Sequence, residues 1–381
     1  MVLFFQNYYR EIVIALFAFV TLIVLVYYFA LFLRFVIYRR KKAKNEEVPN
    51  SFPAVSIIVA ASNDAHFLHS SLPLLLTQNY PNYEVVVVNY NSIDESAVML
   101  DDYSRQYKHL TIVPVDSAKT TIKGKKFPLS IGIKEAKYEL LLFINPDGHP
   151  SSHAWLEKMS QNFVQKKEII MGYATYKRRK GFFDYLLHYH QLQNAIIRFS
   201  FTLAKMPIYA DGSNLAYSRT LFDKQKGYAP YNHIFAGDDD VFVNRATKKK
   251  GKIPDCTIEI APESMVVSQL RYSFKHWFMM ERRKSYAHKF YKKTHKFVLD
   301  VYLANALLFY IAFGVALYFA CSSLPLLIVT GSIFLLKTIL QYIFFGISAK
   351  RLHEKQVIPF LLLWDLLFVI FTFFIVLSKK K

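Results

Sequence analysis

The sequence is poor in cysteine, glycine and acidic residues, and each shortage excludes a class of protein. Its 381 residues include 2 Cys, 12 Gly and 14 Pro, with 28 Asp and Glu against 48 Lys and Arg. Two cysteines, Cys256 and Cys321, cannot form a disulfide framework, and neither lies at metal-ligand spacing. The low Gly and Pro content excludes a collagen-like or low-complexity chain. Neither a Walker A loop nor a G-x-G-x-x-G fingerprint occurs, so the sequence does not support a nucleoside triphosphatase or a dinucleotide-binding protein.

Apolar residues are abundant, at 53% of the chain, while charged residues make up only 20%. A soluble single domain rarely has this composition. Four segments approach or exceed the roughly 20 apolar residues that span a membrane, namely 12–33, 301–320, 324–347 and 357–377. Basic residues rather than a cleavage site follow the first segment, which favours a signal anchor over a removed signal peptide.

Each of the last two apolar segments contains a single charge, Lys337 in one and Asp365 in the other. A lone charge inside a spanning helix costs about 2.5–3.5 kcal/mol on insertion scales. Because a short loop joins the two segments, we expect their helices to be antiparallel neighbours. We therefore predict that Lys337 and Asp365 pair.

The net charge of +20 concentrates beside the apolar segments. Residues 34–44 contain six basic residues and no acid, and residues 271–296 contain nine basic residues and one acid. The positive-inside rule then predicts a multi-pass integral membrane protein whose region 45–296 is cytosolic, with membrane lipids as partners. Lys379, Lys380 and Lys381 would face outward if all four segments span. No nucleic-acid motif accompanies the basic runs, so we expect no nucleic-acid partner.

The central region alternates predicted strands, at 55–60, 83–88, 111–115 and 140–144, with predicted helices, at 66–76, 96–107 and 127–136. This alternation indicates an α/β domain with a parallel sheet covered on both faces. Ligands of such sheets bind beyond the carboxyl ends of the strands. The polar sets at those ends are Ser62-Asn63-Asp64, Asn89-Tyr90-Asn91-Ser92 and Asn145-Pro146-Asp147.

Two further features of this region leave alternatives open. The acidic triplet Asp238-Asp239-Asp240 is either a solvated helix start with Asp as its cap, or a cation or acid/base site. The segment 273–290 predicts a basic amphipathic helix that lies in the membrane interface, with Arg282 or Arg283 turned towards a phosphate as the alternative.

Several segments, in order along the chain, resemble the membrane-bound family 2 glycosyltransferases of the GT-A fold. They are 53–64, 76–88, Gly124-Lys125-Lys126, 132–134, 212–217 and 237–240, and the resemblance covers about residues 48–296. It implies a Rossmann-like, mostly parallel cytosolic sheet domain flanked by transmembrane helices, at the bacterial inner membrane. The implied parts are an N-terminal anchor (1–44), a catalytic domain (45–270), a basic interfacial segment (271–297) and C-terminal transmembrane helices (298–381).

The resemblance also implies a reaction and a set of site residues. A sugar would pass, with inversion, from a nucleotide-diphosphate sugar to a glycan or lipid-linked acceptor, as in the synthesis of cell-envelope polysaccharide. Asp238 is the first choice for the base that deprotonates the acceptor, and Asp239 the second. Mn²⁺ or Mg²⁺ would bind at Asp147 and Asn145. Donor contacts would come from Ala61, Asn63, Asp64, Asn89, Tyr90, Asn91, Lys125, Asn145, Asp147 and Arg283.

This sequence departs from the family pattern at four places. Tyr90 and Asn145 stand where the family usually has Asp, Met280 stands at the Gln of a Gln-x-x-Arg-Trp motif, and Ser213 replaces an Arg. The loss of a carboxylate at position 145 predicts weak metal binding. Two further hypotheses remain open: a catalytically degenerate relative that acts as a binding or accessory protein, and a channel or transporter built from the C-terminal helices.

Overall fold

The structure, a computed structural model, describes residues 2–39, 52–116, 124–246, 254–270 and 272–378, with side chains from residue 8 onward. Residues 40–44 of the first basic run, the predicted boundary at 44–45, Arg271 and the lysines at 379–381 lie outside the described residues. The chain forms two compact units. The helical unit comprises 1–39, 180–200 and 293–381, and the sheet unit comprises 40–179 and 201–292.

The helices and strands are numbered here in chain order. The α-helices are α1 (Val2–Tyr27), α2 (Leu33–Val36), α3 (Ala65–Leu76), α4 (Ser96–Gln106), α5 (Lys126–Glu135), α6 (Trp155–Val164), α7 (Phe182–Leu203), α8 (Arg219–Lys224), α9 (Asp240–Ala246), α10 (Phe274–Ala287), α11 (Lys293–Ala320), α12 (Leu324–Arg351) and α13 (Leu361–Leu377). The strands are β1 (Val55–Ala61), β2 (Tyr83–Tyr90), β3 (Leu110–Val115), β4 (Leu140–Phe143), β5 (Gly148–Pro150), β6 (Ile169–Gly172), β7 (Ala174–Tyr176), β8 (Leu215–Ser218), β9 (Cys256–Glu259) and β10 (Val266–Ser268).

In the sheet unit, the described strands form a main sheet of order β3-β2-β1-β4-β8-β6-β9 and a small sheet of order β5-β10-β7. The strands β1 to β4 pair in parallel, whereas β8 runs antiparallel to both β4 and β6. Every residue of β1 is buried, as expected for a central strand covered on both faces. The predicted α/β fold with a mostly parallel sheet is confirmed, and so are the predicted strands and helices between residues 55 and 144.

Among the described residues, the helical unit holds four helices that are long and apolar enough to cross a membrane, at Tyr8–Val36, Lys293–Ala320, Leu324–Arg351 and Lys355–Leu377. They coincide with the four predicted apolar segments. A π-helical turn at Tyr28–Phe32 interrupts the first of them. Within the helical unit, α1 packs against α11 and α12, for example with Phe17 against Phe309. Tyr28, in the π-helical turn, packs against Phe344 of α12.

The predicted pairing of Lys337 and Asp365 is confirmed. The Lys337 ammonium on α12 lies 3.4 Å from the Asp365 carboxylate on α13, and both side chains are buried. Asp365 also accepts hydrogen bonds from the hydroxyls of Tyr189 (2.9 Å) and Tyr310 (2.5 Å), and Lys337 donates to Gln341 (2.6 Å). These contacts compensate both charges inside apolar helices, as membrane segments require.

Helix α7 is the main element that the sequence pattern did not predict. Its residues up to 200 belong to the helical unit, which differs from the continuous catalytic domain 45–270 expected from the sequence. The His188 ring lies 2.8 Å from the buried Glu354 carboxylate, and Gln193 donates to the Tyr302 hydroxyl (2.6 Å). Because these polar side chains are buried among helices rather than exposed, α7 lacks the single apolar face that would reveal its packing.

Candidate functional site

The loops that follow β1 and β2 are joined by hydrogen bonds. The Asn63 N–H donates to the Ser92 hydroxyl (2.9 Å), and the Ile93 N–H donates to the Asn63 side-chain oxygen (2.8 Å). Asn63 has a φ of 57°, a left-handed conformation that Asn adopts more readily than most residues. Burial raises the pKa of Asp64, although its carboxylate accepts a hydrogen bond from the Ser62 N–H. The two loops therefore form one polar rim at the carboxyl edge of the sheet.

The end of β2 presents an amide and an aromatic ring. The Asn89 side-chain oxygen is buried and accepts no hydrogen bond within the described part of the chain. Ala61 lies beside Asn89 on the neighbouring strand β1. The Tyr90 ring contacts Phe127 edge-on at 6.3 Å between centroids, and Asn91 follows with a φ of 53°. A buried acceptor without a partner is costly, which marks Asn89 as a position that a ligand could complete.

A chain of hydrogen bonds runs from Lys125 through Asn145 to Ser213. The Lys125 ammonium, directly before α5, donates to the Asn145 side-chain oxygen (2.9 Å). The Asn145 amide nitrogen, just after β4, donates to the Ser213 hydroxyl (2.8 Å). The opposite orientation of the amide would set its NH₂ group against the ammonium, so the surrounding groups determine how Asn145 points.

Asp147 is engaged on the other side of the same loop. Its carboxylate accepts a hydrogen bond from the Ser268 hydroxyl, and its carbonyl accepts one from the Gln269 N–H (2.9 Å). Both partners belong to the segment that ends β10. The two polar residues of the predicted metal motif, Asn145 and Asp147, are therefore each bound by other parts of the sheet unit.

The acidic triplet begins α9 after Gly237. Asp239 accepts hydrogen bonds from the N–H groups of Gly212 (2.8 Å) and Asp240 (2.7 Å). Asp240 is buried and accepts a hydrogen bond from the Tyr291 hydroxyl (2.8 Å). The Asp238 carboxylate, which is half-buried, accepts none from the described residues. The triplet starts a helix, as the capping hypothesis predicts, but its carboxylates are half-buried or buried instead of solvated.

Burial changes the acidity of the triplet and of the lysine beside it. Burial raises the pKa of Asp239 well above its usual range, the negative charges of Asp238 and Asp240 raise it further, and the Gly212 N–H offsets part of the effect. Burial raises the pKa of Asp240 to about 6. Burial lowers the pKa of Lys126, which donates to the Ile234 carbonyl, while the three aspartates oppose this effect.

These shifts predict how the Asp240→Asn variant behaves. The pKa of Asp240 is about 6 in the folded protein and near 4 when unfolded, so its contribution to stability is present at low pH and is lost as the pH rises through 6. An Asn can accept from the Val241 N–H and donate to the Tyr291 hydroxyl, without a buried charge. We expect Asp240→Asn to be more stable than the wild type above neutral pH, by about 1–3 kcal/mol.

Thermal unfolding of the full-length protein at acidic and at alkaline pH measures this difference. The exposed Asp223→Asn is the matched control and should change stability little at either pH. Equal stability of Asp240→Asn and the wild type at alkaline pH would contradict the prediction.

The site residues from several elements line one pocket of the sheet unit. Lys125, Asn145, Gly212, Asp238 and Asp239 form its polar part. Apolar walls come from Ala60, Leu129, Phe143, Ile144, Leu215, Tyr217 and Tyr228. The structure thus brings together Lys125, Asn145 and both base candidates. Tyr90, at the end of β2, does not line this pocket, and neither do Asn63, Asp64 and Asn91 on the loops after β1 and β2.

The predicted phosphate-binding segment lies on α10. The Ser273 hydroxyl caps this helix by accepting from the His276 N–H (3.2 Å). The Arg283 guanidinium lies over the Phe235 ring, 4.6 Å from its centroid, and Met280 is half-buried. Phe235 belongs to the loop before the acidic triplet, so Arg283 lies close in the fold to the segment that carries the base candidates.

The residues at the predicted metal position do not fit a resident divalent cation. The Asn145 oxygen already accepts from an ammonium, and the Asp147 carboxylate accepts from Ser268. A divalent cation at the Asn145 oxygen would lie beside the Lys125 charge and be repelled by it. Within the described ranges, no three His, Cys, Asp or Glu side chains are grouped so as to hold a metal ion.

Sequence reasoning missed several partners of the site. Ser268, Tyr291 and Lys126 each bind a site residue or lie beside the triplet, yet no sequence signal set Ser268 or Tyr291 apart. Gly212 could have been found, since the segment 212–217 matches the family pattern. Its N–H donates to Asp239, and an added Cβ would lie 3.4 Å from that carboxylate.

Comparison with known proteins finds glycosyltransferases. The model of the family "Glycosyl transferase family 2" matches residues 56–225. Glycosyltransferase AglE of Haloferax volcanii is 26% identical over 206 residues, which cover 52% of this chain and 62% of AglE. The poly(ribitol-phosphate) beta-glucosyltransferase of Bacillus spizizenii is 25% identical over 203 residues, covering 52% of this chain and 30% of that protein. The matched region spans less than two thirds of either relative.

Among solved structures, this chain is similar to the mannosyltransferase PcManGT from Pyrobaculum calidifontis, determined in complex with GDP-Man and Mn²⁺. The TM-score is 0.60 at 17% sequence identity, and the match covers 98% of this chain and 99% of that one. At this identity the similarity concerns the fold, which extends over the sheet and the apolar helices alike.

Proposed function

We propose that the chain, which matches the model of glycosyl transferase family 2 over residues 56–225, transfers a sugar, with inversion, from a nucleotide-diphosphate sugar to a glycan or lipid-linked acceptor. The observation that carries this proposal is the pocket that Lys125, Asn145, Asp238 and Asp239 line together. It combines a cation, which can stabilise the negative charge of the leaving diphosphate, with carboxylates, which can accept the proton of an acceptor hydroxyl.

The acidic pair supplies the base of the proposed reaction. The acceptor oxygen forms a bond to the anomeric carbon while the bond from that carbon to the diphosphate breaks, and the hydroxyl proton passes to a carboxylate. Asp239 has the properties of such a base, since two backbone N–H groups orient it and its raised pKa makes it a stronger proton acceptor. This reverses the order of preference that the sequence suggested, in which Asp238 came first.

The polar rim after β1 and β2 is the proposed contact for the nucleoside part of the donor. The Asn89 oxygen offers an acceptor without a described partner, and Tyr90 offers an aromatic ring to a base. Asn63, Asp64 and Asn91 surround these groups on the joined loops. PcManGT was solved with GDP-Man, which supports a nucleotide sugar as the donor class.

The four apolar helices support a multi-pass membrane protein, and the basic residues beside the apolar segments favour a cytosolic sheet unit. A lipid-linked acceptor would then be used at the cytosolic face, with the basic helix α10 in the membrane interface. PcManGT was solved with Mn²⁺, which supports metal use among related proteins. In this chain, Asn145 and Asp147 do not form a comparable metal site, because the Asn145 oxygen accepts from Lys125 and the Asp147 carboxylate accepts from Ser268.

The proposed function is tested by incubating the purified full-length protein with UDP-, GDP- and dTDP-sugars and measuring nucleoside diphosphate release. We expect turnover with one donor class, and loss of turnover in a variant that carries both Asp238→Asn and Asp239→Asn. Donor binding without turnover would instead favour the degenerate, accessory protein, whose motivating observation is the set of altered motif residues Tyr90, Asn145 and Met280.

The proposed topology can be tested with the protein's own cysteines. Cys321 is exposed at the turn between α11 and α12. In the proposed topology α11 crosses the membrane outward from the cytosol, so this turn lies outside the cell. Burial raises the pKa of Cys256 to about 12, which makes this thiol unreactive. A membrane-impermeant maleimide should therefore label Cys321 in intact cells.

The matched probe is Gln165→Cys in a Cys321→Ser background, because Gln165 is exposed at the end of α6. We expect it to be labelled only after the cells are permeabilised. Labelling of this cysteine from outside would contradict a cytosolic sheet unit.

A further inference from the structure

Resting on the proposed function, we propose that the Lys125 ammonium, presented on the side chain of Asn145, takes the place of a divalent cation in binding the donor diphosphate. Donor binding and transfer are then independent of Mn²⁺ and Mg²⁺. Asn145 replaces an Asp of the family pattern, and with this replacement the cation that binds the diphosphate changes from a metal ion to a lysine.

The first support is the position of the ammonium. Lys125 Nζ lies 2.9 Å from the Asn145 oxygen, at the place where the family pattern has a metal-binding carboxylate. An Asp at 145 would neutralise this lysine as an ion pair. The neutral Asn orients the ammonium through one hydrogen bond but leaves its full charge and its other two N–H donors for a phosphate.

The second support is that the Asn145 side chain is oriented from behind. The Lys125 ammonium can only donate, so the amide oxygen faces it, and the Asn145 amide nitrogen donates to the Ser213 hydroxyl at 2.8 Å on the other side. Ser213 stands where the family usually has an Arg. The departures at 145 and 213 are thus parts of one hydrogen-bonded arrangement and not two separate losses.

The third support is that the backbone before Lys125 is held in one conformation. Gly124 has a φ of 76°, and an added Cβ would lie 2.3 Å from the Phe235 carbonyl oxygen. Only glycine fits this close approach, so the backbone conformation directly before Lys125 and α5 is fixed. The Arg283 guanidinium lies on the ring of the same Phe235. Phe235 thus contacts both the backbone just before Lys125 and the Arg283 guanidinium, and an Arg can bind a phosphate through two parallel hydrogen bonds.

In the reaction, the electron pair of the broken bond leaves with the nucleoside diphosphate. The negative charge that develops on the leaving oxygen is met by the N–H donors of Lys125, with Arg283 as a second cation for the diphosphate. The acceptor proton goes to the acidic pair as before. Atoms and charges balance without any further reactant.

The test is titration calorimetry of UDP, GDP and dTDP against the full-length protein, once in EDTA and once in Mn²⁺. We expect the wild type to bind one of them with about the same affinity in both conditions. Lys125→Met should weaken this binding by about 10–100-fold, the loss expected for a charge-assisted hydrogen bond to a phosphate. Lys125→Arg should restore most of it. Lys134→Met, an exposed lysine at the other end of α5, is the matched control and should bind as the wild type does.

The Asn145→Asp variant best distinguishes nucleotide binding by the lysine from nucleotide binding by a metal ion. The new carboxylate pairs with Lys125 and also adds an anionic oxygen beside Asp147, so this variant should bind the nucleotide weakly in EDTA and regain affinity with Mn²⁺. Metal dependence that appears only in the variant supports the inference.

Three outcomes would overturn the inference. One is wild-type binding that occurs in Mn²⁺ but not in EDTA, and another is unchanged binding by a folded Lys125→Met; in both cases the proposed function stands. The third is no binding of any of the three nucleotides by the wild type in either condition, which would overturn the proposed function as well.

Discussion

Replacing Asp239 by Asn is expected to lower donor turnover by about 10²–10⁴-fold, the range that a positioned general base contributes. Nucleoside diphosphate binding should change little, because the base acts on the acceptor hydroxyl in the transition state and not on the bound donor. Steady-state turnover together with calorimetric binding of the diphosphate measures both quantities. Asp238→Asn is the matched comparison and should be milder, since its carboxylate is not oriented by hydrogen bonds from the described chain.

The pH profile separates a base from a merely structural aspartate. Burial and the neighbouring carboxylates raise the pKa of Asp239, so wild-type turnover should fall as the pH drops through that raised pKa. The residual turnover of Asp239→Asn should lose this acidic limb. A larger effect of Asp238→Asn would assign the base to Asp238, and normal turnover in both variants would exclude the acidic pair from the chemistry.

Removing one partner of the Lys337–Asp365 pair is expected to destabilise the protein by about 3–5 kcal/mol, because a buried charge then loses its compensation. Lys337→Met leaves the Asp365 carboxylate with two tyrosine donors but no cation. Asp365→Leu leaves the Lys337 ammonium with the Gln341 oxygen and the faces of the Phe309 and Tyr310 rings.

The double variant Lys337→Met/Asp365→Leu should lose less than the sum of the two single losses, by more than about 1 kcal/mol. Thermal unfolding of the four proteins in detergent completes the double-mutant cycle. Lys350→Met removes an exposed charge from the last turn of α12 and serves as the control. Additive losses would mean that the two charges do not depend on each other.

The same pair bears on the channel or transporter hypothesis, whose sequence support was these two charges. In the structure, Lys337 and Asp365 neutralise each other and are hydrogen bonded to Gln341, Tyr189 and Tyr310. A structural role for both residues explains why they lie inside apolar helices. They therefore no longer favour a conducting pathway.

The sequence predicted the fold where local pattern and tertiary structure agree. Strand β1 is buried on both faces and is therefore apolar at every position except Ser56. The polar residues that follow it mark the carboxyl edge of the sheet. The four apolar helices were also predictable, because a run of about 20 apolar residues identifies a candidate membrane-spanning helix by itself. Helix α7 was not predictable, since its histidines and glutamine are buried against partners that are far away in sequence, such as Glu354 and Tyr302.

The site was predictable as a set of motifs but not as a geometry. The family pattern identified Asn145, Lys125 and the acidic triplet, yet nothing in the sequence indicated that the Lys125 ammonium binds Asn145. The order of the two base candidates also depended on the Gly212 N–H, which the chain brings to Asp239 from 27 residues away. Contacts of this kind arise from the packing of loops and leave no periodic signal.

The proposed function requires that the site is catalytically active although its motif residues differ from the family pattern. The most direct measurement is nucleoside diphosphate release by the full-length protein from a panel of UDP-, GDP- and dTDP-sugars, compared with the Asp238→Asn/Asp239→Asn variant. We expect release from one donor class by the wild type, and release at least about 10²-fold slower by the variant. Release by neither protein from any donor, or equal release by both, would contradict it.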